Sequence, residues 1–216
     1  MNMMRKCDMA NLKEKNRVYV AALISIPLLV SFYFQFGFEF TKEHLIIGSE
    51  IGISFILSCI FVLFSSLLPQ DIKHKIVFLR IKNELPACRC HKLLDADARI
   101  DINKVKKKWP KLFQDILPES ERNKIWYNEV YKPVRNKKTV ESAHQEFLMF
   151  RDSLSGVLIT LTFGSLLLVY SHINQDFYRI HPAFIYTHVI SIIFLMLCAR
   201  IAAKRMVVNA FVEACD

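Results

Sequence analysis

Only 5 glycines are spread over 216 residues. None forms a phosphate-cradling loop, and neither a nucleophile elbow nor an HExxH pair is present, so the common signatures of nucleotide and hydrolytic chemistry are missing. Enzymatic activity, a resident cofactor and a metal are accordingly not expected. Six cysteines are scattered at positions 7, 59, 88, 90, 198 and 215. None falls in a stretch expected outside the cell, so reduced thiols are expected rather than a disulfide framework. Two further absences organise the chain. Between Thr139 and Ser171 there is no proline, and between Leu154 and Tyr170 there is no charge.

What is present is apolar bulk. The hydrophobic fraction is 53%, with 17 Phe, while 23% of residues are charged, and the two populations are segregated along the chain. That is the pattern of an integral membrane protein. Four apolar runs are long enough to span at about 1.5 Å per residue: about Val18 to Phe38, Leu45 to Leu68, Leu154 to Ser171 and Pro182 to Ala202. The first is too long for a signal-peptide core and lacks a small-residue cleavage site, so it is read as a span. Lys and Arg number 5 before the first run, 1 between the first and second, 19 from Lys73 to Arg151, 1 between the third and fourth, and 3 from Arg200 at the end of the fourth onward. The positive-inside rule then puts both termini and the middle segment in the cytoplasm.

The expected fold is an all-α integral membrane protein, with four transmembrane helices as two hairpins and a helical cytosolic domain between the second and third. Its expected parts are a basic tail (1–17), a first hairpin (18–68), a cytosolic domain and stalk (69–153), a second hairpin (154–203) and a cytosolic tail (204–216). From Thr139 the apolar residues Val140, Ala143, Phe147, Phe150 and Leu154 recur at helical spacing and run into the uncharged stretch. One continuous helix, stalk below and span above, is therefore predicted.

Small residues mark packing faces: Gly48 and Gly52 in the second run, and Gly156, Thr160 and Gly164 in the third, which predicts close contact between these two runs within the chain or between protomers. Phe32, Tyr33, Phe34, Phe36, Phe38 and Phe40 read as an interfacial aromatic belt, and Pro27 as a kink position. Glu50 and His188 are the ionisable groups expected at membrane depth, with Glu50 able to snorkel to the interface.

In the middle segment, Gln70 to Asn83 suits an interfacial helix or a strand opening a small domain; the helix is preferred. Asp101 is placed as the cap of a helix over Lys104 to Gln114, and a second helix is predicted from Pro118 and Glu119 to a stop before Pro133. Cys88, Cys90 and His91 form CxCH, but the spacing is short and a second ligand pair is missing. Asp95, Asp97 and Asp101 imitate half a calcium loop, with Ile100 and Lys106 where Gly and Glu are needed. The basic face Lys104, Lys106, Lys107, Lys108 and Lys111 suits lipid head groups or solvent, with nucleic acid as the sharper alternative.

DARID (Asp97 to Asp101), NKIWYNEVYK (Asn123 to Lys132) and AHQEFLMFRD (Ala143 to Asp152) together resemble a pattern in small bacterial four-span membrane proteins of anti-phage defence cassettes, including those encoded beside retron reverse transcriptases. The resemblance implies an inner-membrane effector, triggered through its cytosolic domain, that perturbs or permeabilises the membrane. It implies that Arg99, Asp101, Trp126, Tyr127, His144, Arg151 and Asp152 are motif positions, either contacting a partner or, for Arg99 and Arg151, pairing with an acid inside the domain. The expected partners are the bilayer, a second copy of the chain, and a cytosolic protein or ribonucleoprotein. A membrane scaffold that recruits a soluble partner is the alternative.

Overall fold

The continuous helix predicted from Thr139 is present. In the computed structural model, which describes residues 2–36, 56, 59–95, 97–174 and 180–215, it runs unbroken from Lys138 to Ile173 (α8). Among the described residues every element is helical. The others are α1 (Asn2–Phe36), α2 (59–67), α3 (Gln70–Phe78), α4 (Cys90–Leu94), α5 (Ile102–Lys108), α6 (Glu119–Ile125), α7 (Lys132–Val134) and α9 (Ala183–Cys215), with short 3₁₀ turns at Pro86–Arg89 and Pro110–Phe113. Among the described residues, three stretches are long and apolar enough to cross a membrane: Glu14–Gln35, Lys138–Ile173 and Ala183–Cys215. Gly48, Glu50 and Gly52, with most of the second apolar run and the outer end of the aromatic belt, lie outside the described residues.

The chain divides into two compact units, 1–73 with 149–197 and 74–148 with 198–216. In the first, Val20, Ala21, Ile24 and Leu28 of α1 are buried, as are Leu154 and Val157 of α8 and Leu195 of α9. The outward faces of the same helices are apolar too: Val18, Ile26, Phe163, Leu166, Ile190 and Phe194 are all more than half exposed. A surface of that kind is costly against water and favourable against hydrocarbon. Pro27 sits inside α1 without ending it.

The second unit closes around Leu94, Val105, Leu112, Trp126, Val130 and Val140, and its core takes in Val207, Ala210 and Phe211 of α9. Residues 204–215 are thus not a separate tail. Their apolar positions recur at three- and four-residue spacing, so the last turns of α9 present a buried stripe, and Phe211 meets Trp109 edge-on at 5.7 Å. Three other boundaries differ from the sequence expectation. The helix preferred over Gln70 to Asn83 stops at Phe78, because Leu79 takes the left-handed φ of 51. The helix capped by Asp101 stops at Lys108, because Trp109–Pro110 diverts the backbone into a 3₁₀ turn. The helix opened at Pro118 passes through Pro133 to Val134: a π-helical turn over Trp126–Tyr131 widens the backbone where Pro133 has no N–H to donate.

Helix ends are closed by cations. The guanidinium of Arg200 donates to the Val77 carbonyl at 2.6 Å, beside Leu79, which ends α3 at φ 51. The Lys108 ammonium donates to the Ala214 carbonyl in the last turn of α9. Both satisfy carbonyls that no later turn can reach.

Candidate functional site

The densest buried charge lies in the first unit. Asp152 is placed by α8 where its charged half gives way to the uncharged stretch, and Lys73 by the first turn of α3, after Pro69 turns the chain. Asp152 Oδ1 accepts from Lys73 Nζ at 3.0 Å and from Arg151 Nε and Nη2 at 3.0 and 2.9 Å, while Ser65 Oγ donates to the Asp152 carbonyl at 3.1 Å. The Arg151 and Lys73 side chains are 1% and 3% exposed. Taking charges out of water costs several kcal/mol each unless they are paired and hydrogen-bonded, so one carboxylate shared by two cations is a device to keep them there. Beside this cluster lies a cavity of about 330 Å³. Glu14, Arg17, Lys73 and Asp152 are its charged lining residues, and Val20, Val62 and Leu63 are apolar ones.

The other motif positions belong to the second unit. Arg99 forks onto Asp97, Nε to Oδ1 at 2.9 Å and Nη2 to Oδ2 at 2.8 Å, on the surface rather than inside the domain. These hydrogen bonds hold the Asp97 carboxyl down to about 2. Asp101 is the cap of α5, accepting from the Asn103 and Lys104 amides. Trp126, Tyr127, Tyr131 and His144 form one aromatic cluster: Tyr131 stacks on Trp126 at 5.3 Å, lies 5.5 Å from Tyr127, and its hydroxyl is 2.8 Å from His144 Nδ1. The basic face divides. All five lysines are exposed, but Lys106 lies over the Phe113 ring and Lys108 over Trp109, while among the described residues Lys104, Lys107 and Lys111 have no aromatic seat.

At the packing positions, a Cβ on Gly156 would meet Ile24 of α1 and one on Gly164 would meet Phe184 of α9, while Thr160 Oγ1 donates to the Gly156 carbonyl at 2.9 Å. The described contacts of this stripe are thus with the first and fourth apolar runs. His188 is fully buried on α9 with Nδ1 2.7 Å from the Phe184 carbonyl, which requires Nδ1 to carry the proton. Cys88, Cys90 and His91 do not bring their ligand atoms together. Burial pushes both thiols up, Cys90 to about 12, the opposite of what thiolate ligation needs.

Lys73 and Arg122 were not legible as site residues. Lys73 finds Asp152 across 79 positions, with no local pattern to join them. Arg122, 4% exposed, donates to the carbonyls of Leu112, Cys88 and Gln114 and so ties together both 3₁₀ turns of the second unit. Within ESERNKI it looks like one more solvated charge.

Comparison with known proteins finds no matching family model, no matching curated protein and no matching solved structure.

Proposed function

We propose that this chain is a multi-span membrane effector of the bacterial inner membrane, serving anti-phage defence, that perturbs or permeabilises the bilayer when a partner engages its second unit. In this reading four spans form two hairpins, the second unit is cytosolic, and copies of the chain associate. The observation that carries it is that α8 and α9 each supply residues to both units: a change in the second unit's core has two unbroken helices through which to reach the apolar unit. The outward apolar faces of those helices and the concentration of Lys and Arg between Lys73 and Arg151 support the orientation.

The test is membrane potential and viability after induced expression in bacteria, comparing the intact chain with Gly164→Leu, which would drive a side chain into Phe184. Depolarisation by the intact chain, lost in an equally inserted variant, supports an effector acting through helix packing. Harmless expression, with and without phage challenge, counts against it.

A scaffold that docks a soluble protein or ribonucleoprotein is the second reading, favoured by the exposed Lys104, Lys107 and Lys111. Direct nucleic-acid contact through those lysines would make binding fall steeply with salt.

A further inference from the structure

The cavity beside Asp152 has a composition that the effector reading leaves unused. Its lining combines apolar Val20, Val62 and Leu63 with charged Glu14, Arg17, Lys73 and Asp152. Along α1 the last charge is Arg17 and an uncharged stretch begins at Val18; along α8 the last charge is Asp152 and the uncharged stretch begins at Ser153. The two transitions from charged to uncharged sequence both fall at this cavity. Its volume is at the small end for ligand sites, enough for a headgroup but not for a large cofactor. Arg17 and Lys73 in the lining balance Glu14 and Asp152, and the single excess positive charge of the cluster is that of Arg151, buried behind Asp152; a phosphodiester carries one negative charge.

We propose that this cavity binds the phosphodiester headgroup of an anionic glycerophospholipid, with Arg17 and Lys73 facing the phosphate and Val20, Val62 and Leu63 facing the start of the acyl chains. Basic pockets between spanning helices at the cytoplasmic surface take such headgroups. A free phosphate would use the cations but not the apolar lining. The site rests on the membrane-spanning part of the proposed function, which carbonate extraction of the expressed chain tests separately: retention in the membrane pellet upholds the spans whatever the lipid result, and release into the supernatant removes the basis for both.

The lipid test uses the full chain purified in a neutral detergent at about 0.15 M salt, where long-range surface attraction is largely screened. The thermal unfolding midpoint is followed while adding short-chain phosphatidylglycerol, short-chain phosphatidylcholine or inorganic phosphate. Phosphatidylglycerol should raise the midpoint saturably and phosphatidylcholine should not. Because Lys73→Met threatens the fold itself, the exposed Arg17→Gln carries the test: it should raise the half-saturating lipid concentration about fivefold or more. Val62→Trp, which crowds the apolar lining, should do the same. Lys107→Gln makes an equal change in charge elsewhere and should leave the response alone. Equal stabilisation by phosphatidylcholine overturns the proposal, as does an equal effect of Lys107→Gln and Arg17→Gln. A matching shift from inorganic phosphate at the same concentration overturns the lipid as source and makes this a soluble-phosphate site.

Discussion

Asp152 is the residue whose loss should cost the first unit most. Asp152→Asn withdraws the charge that Lys73 and Arg151 share, whereas Lys73→Met leaves Asp152 still paired with Arg151. Breaking a buried pair from one side costs about 3–5 kcal/mol, so the Asn variant should show the larger fall in unfolding midpoint in detergent, and a midpoint closer to wild type than that of the Met variant would contradict this assignment. A second residue-scale expectation concerns Asp97. With its carboxyl held at about 2 instead of 3.8, the hydrogen bonds from Arg99 are fully present above pH 3.8 and are lost as pH falls through about 2. Carboxyl NMR should find Asp97 titrating near the lower value and returning toward 3.8 in Arg99→Gln. The cap of α5 was legible because Asp101 directly precedes the helix, whereas pairing of Arg151 with an acid was one of two readings left open, and the pair it makes with Asp152 lies in the first unit rather than inside the domain. The third member of that cluster, Lys73, was not legible, since long-range charge pairing leaves no periodicity to read.

At the scale of single elements, the unbroken run of α8 was legible because nothing between Thr139 and Ser171 interrupts it, and α3 in part, because the mix of apolar and basic residues over Gln70 to Asn83 suits an interfacial helix, though the helix stops at Phe78. The π-helical turn was not. Trp126, Val130 and Tyr131 occupy positions that suit an ordinary helix, and only the passage through Pro133 betrays the extra width. The packing stripe gives a graded prediction. Gly156 faces the far end of Ile24, which can swing aside, whereas Gly164 faces the tip of the Phe184 ring, which lies 4.1 Å from the His188 ring and moves only as a block. Gly164→Ala should therefore lower the unfolding midpoint more than Gly156→Ala does, by the equivalent of about 1–3 kcal/mol against less than about 1. Equal effects would mean that Phe184 is as free to yield as Ile24.

For the molecule as a whole, the main correction concerns 204–216. Along the sequence, Lys204 and Arg205 mark the end of a span, and the residues after them look like a tail. Folded, Val207, Ala210 and Phe211 are a wall of the second unit's core, and Arg205 pairs with Glu146 at 2.9 Å. Phe211→Ala should cost about 3–5 kcal/mol. Ending the chain after Ala203 should leave 74–148 open to trypsin at its many Lys and Arg under conditions where the intact chain resists cleavage. Resistance of the shortened chain would show that the second unit closes without α9. The arrangement also has a consequence in time. Phe211 is made about 60 residues after Leu148, and at about 5–20 residues per second the ribosome needs roughly 3–12 s to cover that distance. Throughout that interval residues 74–148 have left the decoding centre while the wall they require has not yet been synthesised. The second unit is thus finished late on the ribosome, and a stalled or slowly translated message would release its sticky, incomplete form.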